Sequence, residues 1–183
     1  MPIDRMECRE RPPTVKCSVW LMPRHDGAAH LRHLIESLSA RFGAPAFAPH
    51  LTLIGDVLQP AELVAASLAR FQSSLRVVVP AEGAGHSAKR FESLFVRLQP
   101  VPKLLQLRKE VASALGVEVP TGFRPHVSLM YPVNEVQERD RRALCSEVVA
   151  SIPTHLEFDR LSVVEPMGPN GWEDVTMWRV VGA

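Results

Sequence analysis

Residues 47–53 read Phe-Ala-Pro-His-Leu-Thr-Leu, and residues 123–129 read Phe-Arg-Pro-His-Val-Ser-Leu. Both fit Phe-x-Pro-His-apolar-[Ser/Thr]-Leu. On a β-strand, side chains two positions apart share a face. His50 and Thr52 therefore project together, as do His126 and Ser128, while Leu51, Leu53, Val127 and Leu129 point the opposite way, into a core. A histidine on a strand is most often a surface or hydrogen-bonded structural residue, and a hydroxyl two positions on adds little, since Ser and Thr are common on strands. The second copy changes that reading. A purely structural repeat would copy apolar positions; this one also copies an imidazole and a hydroxyl.

The flanking segments supply a scaffold in two matching passes. Residues 15–21 form a β-branched and aromatic strand stopped by Pro23. A helix follows, with Leu31, Leu34, Ile35, Leu38 and Phe42 on one face and Gly43 as its stop. After the first motif strand (49–55), Pro60 opens a second helix striped by Leu63, Val64, Leu68 and Phe71. Strands are expected at 75–79, ended by Gly83 and Gly85, and at 91–98. Pro102 then opens a third helix (Leu104, Leu107, Val111, Leu115), the second motif strand spans 125–131, and Asn134 caps a fourth helix reaching about Ile152. Strands at 155–164 and 172–181 close the chain around a turn-rich MGPNG linker. Helices mixed with hairpin-connected strands predict an α+β fold. The expected organisation is a tail at residues 1–13 and one domain at 14–183, whose two halves, if related by a pseudo-twofold, bring both motifs to one cleft.

Composition narrows the function. The 183 residues are 46% hydrophobic and 22% charged, which excludes disordered, collagen-like and coiled-coil classes. Lys and Arg total 21 against 20 Asp and Glu, for a net charge of +1. Bulk charge of that size does not grip long nucleic acid. Cys8, Cys17 and Cys145 lack CxxC spacing, so neither a zinc knuckle nor a disulfide framework is expected and the cysteines read as buried fillers. Neither a signal peptide nor a membrane-length apolar run is present, so the expectation is a cytoplasmic, soluble monomer.

Two imidazoles and two hydroxyls facing one cleft suit a phosphodiester. A neutral histidine takes a proton from attacking water and a protonated one gives a proton to the leaving oxygen. The hydroxyls donate to the non-bridging oxygens, where charge builds. Histidine fits both tasks because its ordinary pKa lies near neutrality. This chemistry needs no cofactor and no metal, and none of the seven histidines sits in a familiar zinc motif.

At these residues the chain resembles the two-histidine phosphoesterase superfamily, defined by two His-x-[Ser/Thr]-x motifs, here HLTL at 50–53 and HVSL at 126–129. The resemblance is greatest to the cyclic phosphodiesterase branch known from plants and fungi. It extends over about residues 15–181 and includes SVW at 18–20, FESLFVRL at 91–98 and WEDVTMWRVV at 172–181. It implies a bilobal duplicated fold, two antiparallel sheets facing a central cleft with helices outside. It also implies metal-independent opening of small cyclic phosphates: ADP-ribose 1″,2″-cyclic phosphate, or nucleoside 2′,3′-cyclic phosphates giving 2′-phosphates. By position, His50 and His126 are the catalytic pair, with His126 as base and His50 as acid, and Thr52 and Ser128 bind phosphate. Trp20, Phe91 and Tyr131 are the implied substrate contacts. The same superfamily contains RNA-end and 2′,5′-phosphodiesterases and ligase-like enzymes, and a non-catalytic nucleotide-binding module is a further reading.

Other residues carry less. Tyr131 reaches the cleft only if its strand ends or bends before it, which Pro132 favours. Trp172 and Trp178 read as core or lobe-interface packing. Lys89 and Arg90 are candidates for steering an anionic substrate. His25, His30, His33, His86 and His155 have no repeated motif behind them.

Overall fold

Every residue of the first strand, β1 (Cys17–Pro23), is buried: Cys17, Val19 and Leu21 face the main core, Trp20 and Met22 pack in a second cluster with Val164, and both strand edges are paired. One edge meets β2 (Leu51–Val57) and the other meets β6 (His155–Pro166), both antiparallel. The computed structural model describes residues 16–131 and 138–182. Within them the strand order is β1-β2-β5-β4-β3-β6-β7, where β3 is Val77–His86, β4 is Leu94–Leu98, β5 is His126–Met130 and β7 is Trp178–Val181. The extra β1–β6 pairing closes six of these strands into a barrel-like ring. The far edge of β6 is shared, residues 155–158 pairing with β3 and residues 163–166 with β7. Every pairing is antiparallel, and the α+β expectation is met.

The two separate sheets expected from the sequence are one continuous sheet. The motif strands β2 and β5 pair directly, at Leu51 across from Val127, so the two halves join backbone to backbone where a gap was anticipated. The described residues form four α-helices, α1 (His25–Phe42), α2 (Ala61–Gln72), α3 (Pro102–Leu115) and α4 (Glu138–Val148). Most of the expected apolar stripes are buried: Leu31, Ile35 and Leu38 on α1, Val64 and Leu68 on α2, Leu104, Leu107, Val111 and Leu115 on α3; Leu34, Phe42 and Phe71 are half-buried, and Leu63, expected on the α2 stripe, is exposed. Pro102 opens α3, and Gly43 and Gly116 close α1 and α3 in the left-handed conformation.

Three boundaries differ from the sequence reading. β3 runs through Gly83 and Gly85 instead of stopping before them, because a register shift between Ala81 and Ala84 absorbs the bend. Gly85 is required there by close approach: a Cβ would sit 2.6 Å from the Phe95 ring. Phe91 lies outside β4, in a single 3-10 turn (Arg90–Glu92). Residues 172–177 form two 3-10 turns, so the last strand begins only at Trp178. Thr176 Oγ1 donates to Asp174 Oδ1 at 2.9 Å, and the Asp174 and Met177 amides donate to the Gly171 and Asp174 carbonyls at 3.3 and 3.0 Å. These local bonds replace a strand ladder. The expected tail at 1–13, Pro132 and the Asn134 cap lie outside the described residues, as does the side chain of Arg90.

One buried cation ties the motif strands together. Arg108 of α3 is 9% exposed. Its Nε donates to the Leu53 carbonyl at 3.0 Å and its Nη1 to the Pro120 carbonyl at 3.2 Å. Its guanidinium lies 4.3 Å from the centre of the Phe123 ring. Leu53 ends the first motif and Phe123 begins the second. Arg108→Ala should destabilise the fold by about 2 kcal/mol, since it leaves the buried Leu53 carbonyl without its charged donor and removes the bond to Pro120. Arg108→Lys should recover little, because an ammonium cannot span both acceptors. Denaturant unfolding checks this, and a loss below about 1 kcal/mol for Arg108→Ala would contradict the tie.

Candidate active site

The Leu51–Val127 ladder position decides how the two motifs meet. Extending that antiparallel register by one residue either way sets His50 across from Ser128 and Thr52 across from His126. All four therefore share one face of the sheet, and all four line a cavity of about 280 Å³. Leu51, Leu53, Val127 and Leu129 fill the core behind them, each no more than 1% exposed.

The Phe-x-Pro-His repeat supplies its own orienting groups. His50 Nδ1 lies 2.7 Å from the carbonyl oxygen of Ala48, and His126 Nδ1 lies 2.9 Å from that of Arg124. In both copies the acceptor is the x residue. A carbonyl only accepts, so each Nδ1 is the N–H donor, and in the neutral ring each Nε2 keeps its lone pair. The two imidazoles thus present the same nitrogen for proton transfer.

Their surroundings differ. His50 is buried, stacked on Trp20 with ring centres 3.5 Å apart and planes 6° apart. The edges of Phe47 and Trp178 approach it, each at 6.2 Å. Burial pushes the His50 pKa down to about 4; the Ala48 bond opposes this and the His126 charge adds to it. His126 is only half-buried, with Phe95 edge-on at 5.3 Å.

The hydroxyls are also unequal. Thr52 is exposed, whereas Ser128 is buried and its Oγ donates to the Phe91 carbonyl at 2.7 Å. Tyr131 falls one residue beyond the end of β5. It both packs in the core and lines the cavity, stacked on Phe47 at 4.1 Å with Phe91 edge-on at 5.4 Å. Burial pushes its phenol up, and a hydrogen bond with Ser128 opposes that rise. Phe91 is the most exposed of the three aromatic candidates and stands at the cavity wall.

Sequence reasoning missed part of the lining. Trp172 and Trp178, read as packing residues, both border the cavity, because the chain turns at 171–177 where a strand was expected. Asp56 borders it too, placed by a bulge: residues 54 and 57 of β2 face residues 19 and 17 of β1, and Asp56 takes the left-handed conformation at φ 53°. That combination of an unpaired position and a positive φ leaves no sequence signal beyond the Gly-Asp pair. Glu92 completes the rim, held by Lys89 at 3.6 Å and Arg124 at 3.5 Å. The described lining contains no Lys or Arg. His25, His30, His33, His86 and His155 lie outside it. Among the described residues, no group of three or more His, Cys, Asp or Glu is placed to hold a metal ion, and no helix is long and apolar enough to cross a membrane.

Comparison with known proteins matches residues 15–182 to a family model described as cyclic phosphodiesterase-like protein. A curated relative, the cyclic phosphodiesterase of Arabidopsis thaliana, is 22% identical over 126 residues, 68% of each chain. Among solved structures, E. coli LigT in its apo form superposes with a TM-score of 0.55 at 18% identity, covering 92% of this chain and 94% of that one. The phosphate complex of LigT gives 0.52 at 14% identity, covering 92% and 94%. The structural likeness bears on the fold: an antiparallel strand-rich sheet with four helices.

The low pKa of His50 has a consequence for stability. An unfolded histidine takes up its proton near pH 6.5, whereas His50 in the fold stays neutral down to about pH 4. Below pH 6.5 the unfolded chain binds more protons, so the fold loses stability as pH falls through that window, by roughly 3 kcal/mol at its lower end. Urea unfolding of wild type and His50→Gln at a series of pH values checks this. The variant should lose that part of the slope, and identical slopes would mean that His50 is not held neutral.

Proposed function

The chain belongs to the cyclic phosphodiesterase-like protein family, and from that premise we propose that it hydrolyses small cyclic phosphodiesters by two-histidine acid–base catalysis without a metal. The substrates are ADP-ribose 1″,2″-cyclic phosphate and nucleoside 2′,3′-cyclic phosphates, the latter opened to 2′-phosphates. The observation that carries this reading is the single cavity lined by His50, Thr52, His126 and Ser128, with each imidazole oriented by its own backbone carbonyl.

In the proposed step, His126 Nε2 accepts a proton from water as the water oxygen attacks phosphorus. The bond from phosphorus to the 3′-oxygen breaks in line, and the His50 Nε2 proton passes to that oxygen. Thr52 donates to a non-bridging oxygen, and Ser128 reaches one by turning its O–H away from the Phe91 carbonyl. His50 must be charged to act as the acid, yet burial keeps it neutral in the free protein. The bound phosphate supplies the missing stabilisation: its negative charge beside the imidazole brings the proton in with the substrate.

The rim favours a small ligand. Among the described residues its charged members are Asp56 and Glu92, and no described cation of the lining tracks a polyphosphate backbone. Aromatic rings of Phe91, Tyr131, Trp172 and Trp178 surround the cavity and suit a ribose or base beside a single phosphate. The lining favours mononucleotide-sized substrates over long RNA; that the enzyme is a cytoplasmic monomer is part of the same proposal.

Four measurements test this. Folded His50→Ala and His126→Ala should each lose at least about a hundredfold in kcat on a nucleoside 2′,3′-cyclic phosphate. Near-wild-type turnover by either would end the two-histidine mechanism, and loss of activity in EDTA with rescue by zinc would end the metal-free claim. Turnover on a mononucleotide should exceed that on a cyclic-phosphate-ended oligonucleotide; the reverse order would favour an RNA-end enzyme. Calorimetry of the same cyclic phosphate binding to His126→Ala, in buffers of different ionisation enthalpy, should show uptake of about one proton at neutral pH. The His50→Gln/His126→Ala protein should show none. Binding without proton uptake would make His50 the base.

A further inference from the structure

Two copies of one motif end in unequal surroundings, and the inequality centres on one ring. Trp20 lies on β1 opposite Thr52 of β2 and Ser162 of β6. Its diagonal neighbour on β2 is His50, two residues before Thr52, which explains why the two rings meet. They stack at 3.5 Å with planes 6° apart, closer and more nearly parallel than Trp20's edge contact with Trp178 at 5.3 Å and 72°. Trp20 is 4% exposed. Trp20 borders the cavity, but one face of its ring is taken up by the imidazole.

We propose that Trp20 is a positioning residue that acts through His50, fixing the plane of the imidazole and screening it from water, and does not itself provide a stacking surface for substrate. The Ala48 carbonyl alone holds one atom of the ring and leaves rotation about the Nδ1–H···O direction open. A flat indole across the ring face removes that remaining freedom. With Phe47 and Trp178 edge-on, His50 is bounded on its face and its flanks, and Nε2 is left for proton transfer. His126 has no stacked partner among the described residues; its ring contact is the edge of Phe95. The repeat is thus symmetric in its proton-transfer groups and asymmetric in their support, so the two histidines are not interchangeable. The same contact excludes water, consistent with burial as the largest cause of the depressed His50 pKa.

The catalytic consequence rests on the two-histidine reading above, but the structural one does not. In Trp20→Leu the His50 imidazole, followed by NMR in the free protein, should titrate well above about 4, toward the ordinary histidine value. The kcat should fall about tenfold or more while KM stays within about threefold. Trp20→Phe keeps a flat ring and should retain most of kcat and the depressed titration, which also guards against a leucine variant that does not fold. A rise in KM of tenfold or more with kcat unchanged, together with an unmoved His50 titration, would overturn the proposal and return Trp20 to the substrate. If no cyclic phosphate is turned over by wild type, the functional reading fails, yet the NMR titration still decides whether Trp20 governs His50.

Discussion

One ladder position, Leu51 across from Val127, sets what the rest of the molecule achieves. Side chains alternate along both strands, so a slip of one residue would turn either histidine into the core and bring Leu or Val to the cavity. The pairing is brief, with a single register position, and the structure secures it from outside. Arg108 bonds the Leu53 carbonyl and covers the Phe123 ring. β1 grips the outer edge of β2, and β4 grips the outer edge of β5 through pairs from Leu94 to Arg97. Apolar burial behind both motifs makes every other register expensive, since Leu51, Leu53, Val127 and Leu129 would all be forced toward water.

The Phe-x-Pro-His repeat reads as a small machine for aiming an imidazole. Proline sits between the x residue and the histidine and biases the x residue toward extended backbone, and in both copies the x carbonyl accepts from Nδ1. Phenylalanine anchors each copy differently: Phe47 stacks on Tyr131, and Phe123 lies under Arg108. The motif is therefore equivalent in its local geometry and divergent in its packing. That divergence leaves two identical side chains in unequal surroundings within one cavity, one dry and stacked, the other half-buried.

Much of this was legible in the residues. The tetrad His50, Thr52, His126 and Ser128 follows from period-two alternation plus duplication, and the helix stripes follow from 3.6-residue spacing. The doubt over Tyr131 also resolves on a local signal: β5 ends at Met130, just before Tyr131 and Pro132. The errors share a cause. Gly83 and Gly85 were read as breakers because glycine weakens a strand, but a bulge and the nearby Phe95 ring make glycine the residue that permits the strand there. Residues 172–177 alternate like a strand, yet side-chain and turn bonds at Asp174 and Met177 capture the backbone first. The two sheets that the resemblance implied are one sheet here, and nothing in either strand's own sequence says which neighbour its edge will take.

The sequence by itself determined the chemistry-bearing groups, the face each occupies and the core behind them, because these depend only on local periodicity and on repetition within the chain. Tertiary structure decided which strand edges met, and with them the identity of the cavity walls. It brought Trp172, Trp178 and Asp56 to the site from a turn and a bulge that no periodicity encodes. It also set Trp20 on His50, giving one of two equal histidines a dry, fixed environment. That difference is a matter of solvation and contact between distant segments, and it exists only once the chain has folded.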